Sequence, residues 1–177
     1  LSKAQKEKLK RVSEREDRLI STITEFEKEP SSVDMADLKL LVQEFSDGLA
    51  QLRLAQQRAK CVFPVKLNGL ETLTPSFRTA AALRVADVLK LKTFLDLQQP
   101  DQSSAITNIA ILLRLARDLR PRGDVHNQIC SCRLEEAAWK ELVPQTLSSN
   151  GVTTADCDRM IAAIREHQLN SSIDPVL

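Results

Sequence analysis

Three observations predict an all-α fold for this 177-residue chain: its composition, two long apolar patterns of helical period, and the placement of its breakers. Leu, Ala, Arg, Lys, Glu and Gln dominate, whereas aromatics make up 3%, Tyr is absent and there are only four Gly. Strand-rich folds draw on aromatic and β-branched residues and on Gly turns, so this composition favours helix. The expected architecture is a long antiparallel helical hairpin, coiled-coil-like, over residues 1–60, a packed connector over 61–76, and a compact bundle of about four helices over 77–177.

In the first segment Leu9, Val12, Leu19, Ile23 and Phe26 recur at three- and four-residue steps, with Glu16 the polar interruption. That period predicts a helix from about Ser2 to Lys28, stopped by Pro30, which cannot continue it. In the second, Leu38, Val42, Phe45, Leu49, Leu52 and Ala59 keep the same step, with Gln56 as the exception. Ser31 and Asp34 have the spacing of a capping box, so this helix is expected to run on to about Lys60. A short turn between two long helices makes them antiparallel neighbours. Leu19, Ile23, Phe26, Leu38, Phe45 and Leu52 are the expected hairpin core or interface, because a seam within one chain and a seam between chains have the same pattern.

Residues 61–76 break the period with two prolines and an Asn-Gly pair, yet carry Val62, Phe63, Val65, Leu67, Leu70 and Leu73. A third helix, from about Phe77 to Leu97, is apolar around much of its circumference and is the expected central helix. A fourth starts at Ser103 or Ser104 and ends before Pro121, with Ile109, Leu112, Leu113, Ala116 and Leu119 as its buried stripe. A fifth covers about Cys132 to Leu142, is closed by Pro144, and has Ile129 just ahead of it as a core anchor. Thr153 with Asp156, or Thr154 one residue later, would cap a sixth that ends near His167.

The composition also bounds function. No apolar run approaches the roughly 20 residues that span a bilayer, and the first residues are too polar for a signal peptide. The chain is therefore expected to be intracellular, in cytoplasm or nucleus. It begins without Met, as a fragment or processed product would. Net charge is +1, but residues 61–133 carry 10 basic and 6 acidic side chains and residues 134–177 carry 3 and 7. The +4 middle would attract an acidic partner or lie against the −4 tail.

Candidate chemistry is sparse. His126, Cys130 and Cys132, with Cys157 farther along, are the candidate metal ligands, but His-x3-Cys-x-Cys departs from the usual Cys-x2-Cys knuckle. Reduced, mostly buried thiols and no cofactor are expected; a zinc-stabilised helical domain is one alternative. The two histidines lie in no nucleophile elbow, and phosphate-loop, dinucleotide, EF-hand and HExxH motifs are missing, so no catalytic residue is assigned. His167, near a helix end, would be a cation at the negative pole of the dipole. Glu135-Glu136 would lie on a solvated face.

Lys3, Lys6, Lys8, Lys10 and Arg11 make a basic start, and Arg114, Arg117, Arg120 and Arg122 a second cluster, for phosphates or an acidic protein partner. The expected function is a non-catalytic scaffold or adaptor mediating protein–protein interaction or assembly as a homo- or hetero-oligomer. A nucleic-acid-associated helical protein is the main alternative.

Overall fold

The structure, a computed structural model, describes residues 2–57, 77–120 and 125–170. It is all-helical, with a long N-terminal helix followed by a helical group, and no strand occurs among the described residues. The chain divides into two compact units, Leu1–Asp47 and Gly48–Leu177. The connector expected at 61–76 lies outside the described residues, as do Ala59 and Arg122.

The first unit is a hairpin of unequal arms. Helix α1, Lys3–Lys28, starts in a capping box: Ser2 Oγ accepts from Gln5 N–H at 3.2 Å, and Ser2 N–H donates to Gln5 Oε1 at 2.7 Å. A 3₁₀ turn, Pro30–Ser32, leads to helix α2, Met35–Glu44. Ser31 sits in that turn and caps nothing. Asp34 is the cap, its carboxylate accepting from Ala36 N–H at 2.6 Å and Asp37 N–H at 3.2 Å.

Leu19, Ile23, Phe26, Leu38 and Leu41 are buried, so α2 packs on the C-terminal half of α1 through Leu38 and Leu41. Each such side chain contributes about 1.5–3 kcal/mol by leaving water. Arg15 and Arg18 hold the far end: Arg15 Nη1 donates to the Glu44 carbonyl at 3.2 Å, and Arg18 Nη1 to Glu44 Oε1 at 2.7 Å. A guanidinium on the carbonyl end of α2 also complements the helix dipole.

The second helix does not run unbroken to Lys60. It stops at Phe45, whose φ of −101° and ψ of 0° leave the helical region, and helix α3, Ser46–Gln56, follows. Ser46, Asp47 and Gly48 explain the break: two side chains that compete for backbone hydrogen bonds precede a residue costly to order. Phe45 is half-buried, with the guanidinium of Arg15 on α1 5.6 Å from its ring centroid. Leu49 is buried and Leu52 half-buried.

The second unit is built around helix α5, Ser103–Leu119, not around helix α4, Phe77–Leu97, as its apolar coverage suggested. Helices α4, α6 (Val125–Glu136) and α8 (Thr154–Asn170) all pack on α5. Besides the expected stripe, α5 buries Ala105, Ile106, Asn108, Ile111 and Leu115. Polar side chains fix its neighbours' register: buried Gln56 donates from Nε2 to the Ile111 carbonyl at 3.0 Å, and Ser131 Oγ to the Ala116 carbonyl at 2.8 Å. Gln56, the exception in the second apolar pattern, is thus a directed anchor.

Helix α6 begins earlier than expected and presents a different face. Cys130, Ser131 and Leu134 are buried, while Ile129 is 49% exposed and is no core anchor. Pro144 does not close the segment. A π-helical stretch, Ala137–Leu142, intervenes, and Val143 N–H reaches back five residues to the Ala138 carbonyl. The widened turn lets Pro144 sit in the first turn of helix α7, Val143–Leu147, where its missing donor costs least.

Thr153 and Asp156 form the expected capping box of α8. Thr153 N–H donates to Asp156 Oδ2 at 2.9 Å and Asp156 N–H to Thr153 Oγ1 at 3.2 Å. Hydrogen bonds from the Thr153 hydroxyl and N–H hold the Asp156 carboxyl below its ordinary value.

Gln102 staples the loop that precedes α8: it donates from Nε2 to the Leu97 carbonyl at 3.0 Å and accepts from Ser149 Oγ at 2.8 Å. Gly151 lies so close that an added Cβ would come within 2.5 Å of the Gln102 Nε2. Gly151→Ala is expected to destabilise the protein by about 1–3 kcal/mol, since it displaces a buried amide from its partners. Thermal denaturation of Gly151→Ala, Gln102→Ala and the double variant checks this. The double variant should lose less than the sum of the two single losses.

Candidate interaction surfaces

Two surfaces emerge, one in each unit. The first is the free length of α1. At 1.5 Å per residue its 26 residues span about 39 Å, whereas the 10 of α2 span about 15 Å. The first half of α1 therefore extends past α2, and among the described side chains every one from Ser2 to Glu14 is exposed. Val12, on the same periodic pattern as the buried Leu19 and Ile23, is 43% exposed. The neighbouring ion pairs Arg11–Glu7 at 3.4 Å and Lys10–Glu14 at 3.7 Å are solvated i,i+4 contacts worth a few tenths of a kcal/mol.

The second is a groove of about 310 Å³ bordered by α3, α5 and α8. Ala110, Ile111, Leu113 and Ala163 supply apolar surface; Arg53, Arg114, Arg117, Glu166, Gln56, Gln57, Thr107 and His167 complete its lining. Of the four arginines of the second basic cluster, two meet here. Arg53 was not singled out in the sequence, because it lies in the hairpin's apolar pattern and far along the chain from Arg114.

The cluster is tied to the acidic tail. Arg117 Nη1 donates to Glu166 at 3.1 Å and Arg117 Nη2 to Asp118 at 3.4 Å. Arg120 Nη2 reaches both carboxylate oxygens of Glu135, one at 2.6 Å. The other side of that carboxylate meets His167, with Nε2 3.0 Å from Oε1. His167 is in the last turn of α8, yet it is buried and bonded instead of standing as a solvated cation. Glu135 likewise departs from the solvated face expected of it; Glu136 keeps that face, paired with Lys140 at 2.6 Å, and this hydrogen bond lowers the Glu136 pKa.

The candidate metal ligands are differently placed. Cys130 is buried, and desolvation pushes its thiol up to about 11, which makes it a poor thiolate donor. Cys132 is exposed, Cys157 half-buried and His126 half-buried. Among the described residues no three His, Cys, Asp or Glu side chains group as a metal site requires. No described helix is long and apolar enough to cross a membrane.

Glu135→Ala should destabilise the second unit by about 2–3 kcal/mol, because it leaves Arg120 and His167 in a partly buried site without their shared carboxylate. Glu135→Gln, which keeps an acceptor oxygen, should lose less. Chemical denaturation of the two variants checks both the size and the order.

No protein-family model, curated protein or solved structure matches this chain.

Proposed function

We propose that this protein is a non-catalytic helical scaffold whose assembly contact is the free half of α1. The observation that carries the reading is the unequal hairpin: a helical arm of more than ten residues stands in solvent with a periodic apolar position, Val12, exposed upon it. An isolated helix of that length is marginal in water, so packing against another helix would stabilise it. The charges suit a second copy in antiparallel orientation. Lys3, Lys6, Lys8, Lys10 and Arg11 precede Glu14, Glu16 and Asp17, so reversing one arm against another brings basic ends to acidic stretches.

Light scattering on the full chain tests this. A mass above the monomer is expected, falling to the monomer in Val12→Asp while Lys39→Asp leaves it unchanged. A monomer whose position 12, carrying a photo-crosslinker, captures protein no better than position 39 would overturn the scaffold reading.

The basic start of α1 favours nucleic acid as a second reading, with Lys3, Lys6, Lys10 and Arg11 all exposed. Binding of a generic duplex with affinity falling steeply as salt rises, and lost on neutralising those four residues, would support it. The pairing of Arg117 and Arg120 with tail carboxylates supports the protein-binding reading.

A further inference from the structure

We infer that the outer face of α8 pairs with the same face of a second copy of this chain, the two helices running antiparallel. At 3.6 residues per turn, Asp158, Ala162, Arg165 and Leu169 fall within about 60° of one another, on the side of α8 away from the buried Asp156, Met160 and His167. All four are exposed, Leu169 at 77%, and Ile161 flanks them at 44%. Among the described residues neither the Asp158 nor the Arg165 side chain forms a hydrogen bond or an ion pair. Their own helix cannot pair them. They stand two turns apart, about 10 Å along the axis, and the positions three and four residues from each hold no opposite charge.

That spacing is self-complementary. A twofold axis beside Ile161 and Ala162, midway between the two charges, sets Asp158 of one copy against the partner's Arg165 and the reverse, so that two equivalent ion pairs form. The same operation lays Ile161 on the partner's Ala162 and brings Leu169 to the partner's Ala155, a small residue that leaves room for it. Parallel pairing would instead oppose like charges. With one charge of each sign, the face suits neither nucleic acid nor a strongly acidic protein surface. Two large apolar side chains per copy make this a weak contact, formed at high protein concentration. It lies in the second unit and does not rest on the α1 reading.

The test is a dilution series of the nitrogen-15-labelled full chain, followed by amide shifts. Those of Asp158, Ala162 and Arg165 should change with concentration and give a dimer dissociation constant that rises with salt. Asp158→Arg and Arg165→Asp should each weaken the dimer by about tenfold, since each opposes like charges at both pairs. Mixed in equal amounts, the two variants should bind each other about as tightly as the unaltered chain binds itself, because every pair again joins opposite signs. Arg133→Asp, at an exposed position of α6, should change nothing.

Shifts in α8 that stay constant up to millimolar protein, or two variants that fail to rescue each other while circular dichroism shows both folded, would overturn the proposal. Val12→Asp separates the two surfaces. It should abolish assembly through α1 and keep the concentration-dependent shifts of α8, so failure of either contact is read without the other.

Discussion

The second unit depends on the burial of α5 from nearly every side. A helix so enclosed must have every polar group it carries answered by its neighbours, because an unanswered buried group costs more than a hydrogen bond gains. Asn108 shows how this is met. It is fully buried, donates to Asp96 at 2.8 Å and to Thr93 at 3.3 Å, and ties α5 to α4; Asp96 is in turn held by Lys92 at 2.8 Å. Gln56 and Ser131 add donors to α5 carbonyls from α3 and α6. Hydrophobic burial supplies the driving force, and these directed bonds select one register among the many that Leu, Ile and Ala would tolerate.

The same constraint explains the arginines. Arg117 and Arg120 recur on a helix whose other faces are apolar, so they emerge where α6 and α8 bring Glu135 and Glu166. The +4 middle and −4 tail of the chain meet in part at these contacts. Arg53, Arg114 and Arg117 come together along the groove, beside the apolar surface of Ala110, Ile111 and Ala163.

Much of the fold was legible because helix period and breakers act locally. The α1 and α5 boundaries, the Thr153–Asp156 box and the buried Leu19, Ile23, Phe26 and Leu38 all follow from spacing within a turn or two. What escaped was set by longer-range packing or by finer local competition. Phe45 lay on the apolar period, yet Ser46, Asp47 and Gly48 end the helix there. Ile129 and Cys130 are adjacent, so choosing the buried one required knowing how α6 rotates against α5. The π turn at Ala137–Leu142 has no periodic signature, and it is what lets the chain pass through Pro144. Of the groove, Arg114 and Arg117 were visible as a cluster, whereas Arg53 and Glu166 join them only through tertiary contacts spanning about half the chain.

The two units illustrate different uses of helix. In the second, α4, α6 and α8 pack on α5 and bury it. In the first, α1 exceeds its partner α2 and leaves a helical arm whose described side chains from Ser2 to Glu14 are exposed. Native-state hydrogen exchange on the full chain, residue by residue, reads this division most directly. Amides of Ile109 to Ala116 in α5 should exchange slowest, at the rate of global unfolding, and those of Lys6 to Glu14 in α1 fastest, gaining protection as protein concentration rises. Exchange in α5 as fast as in the α1 arm would contradict the central place assigned to that helix.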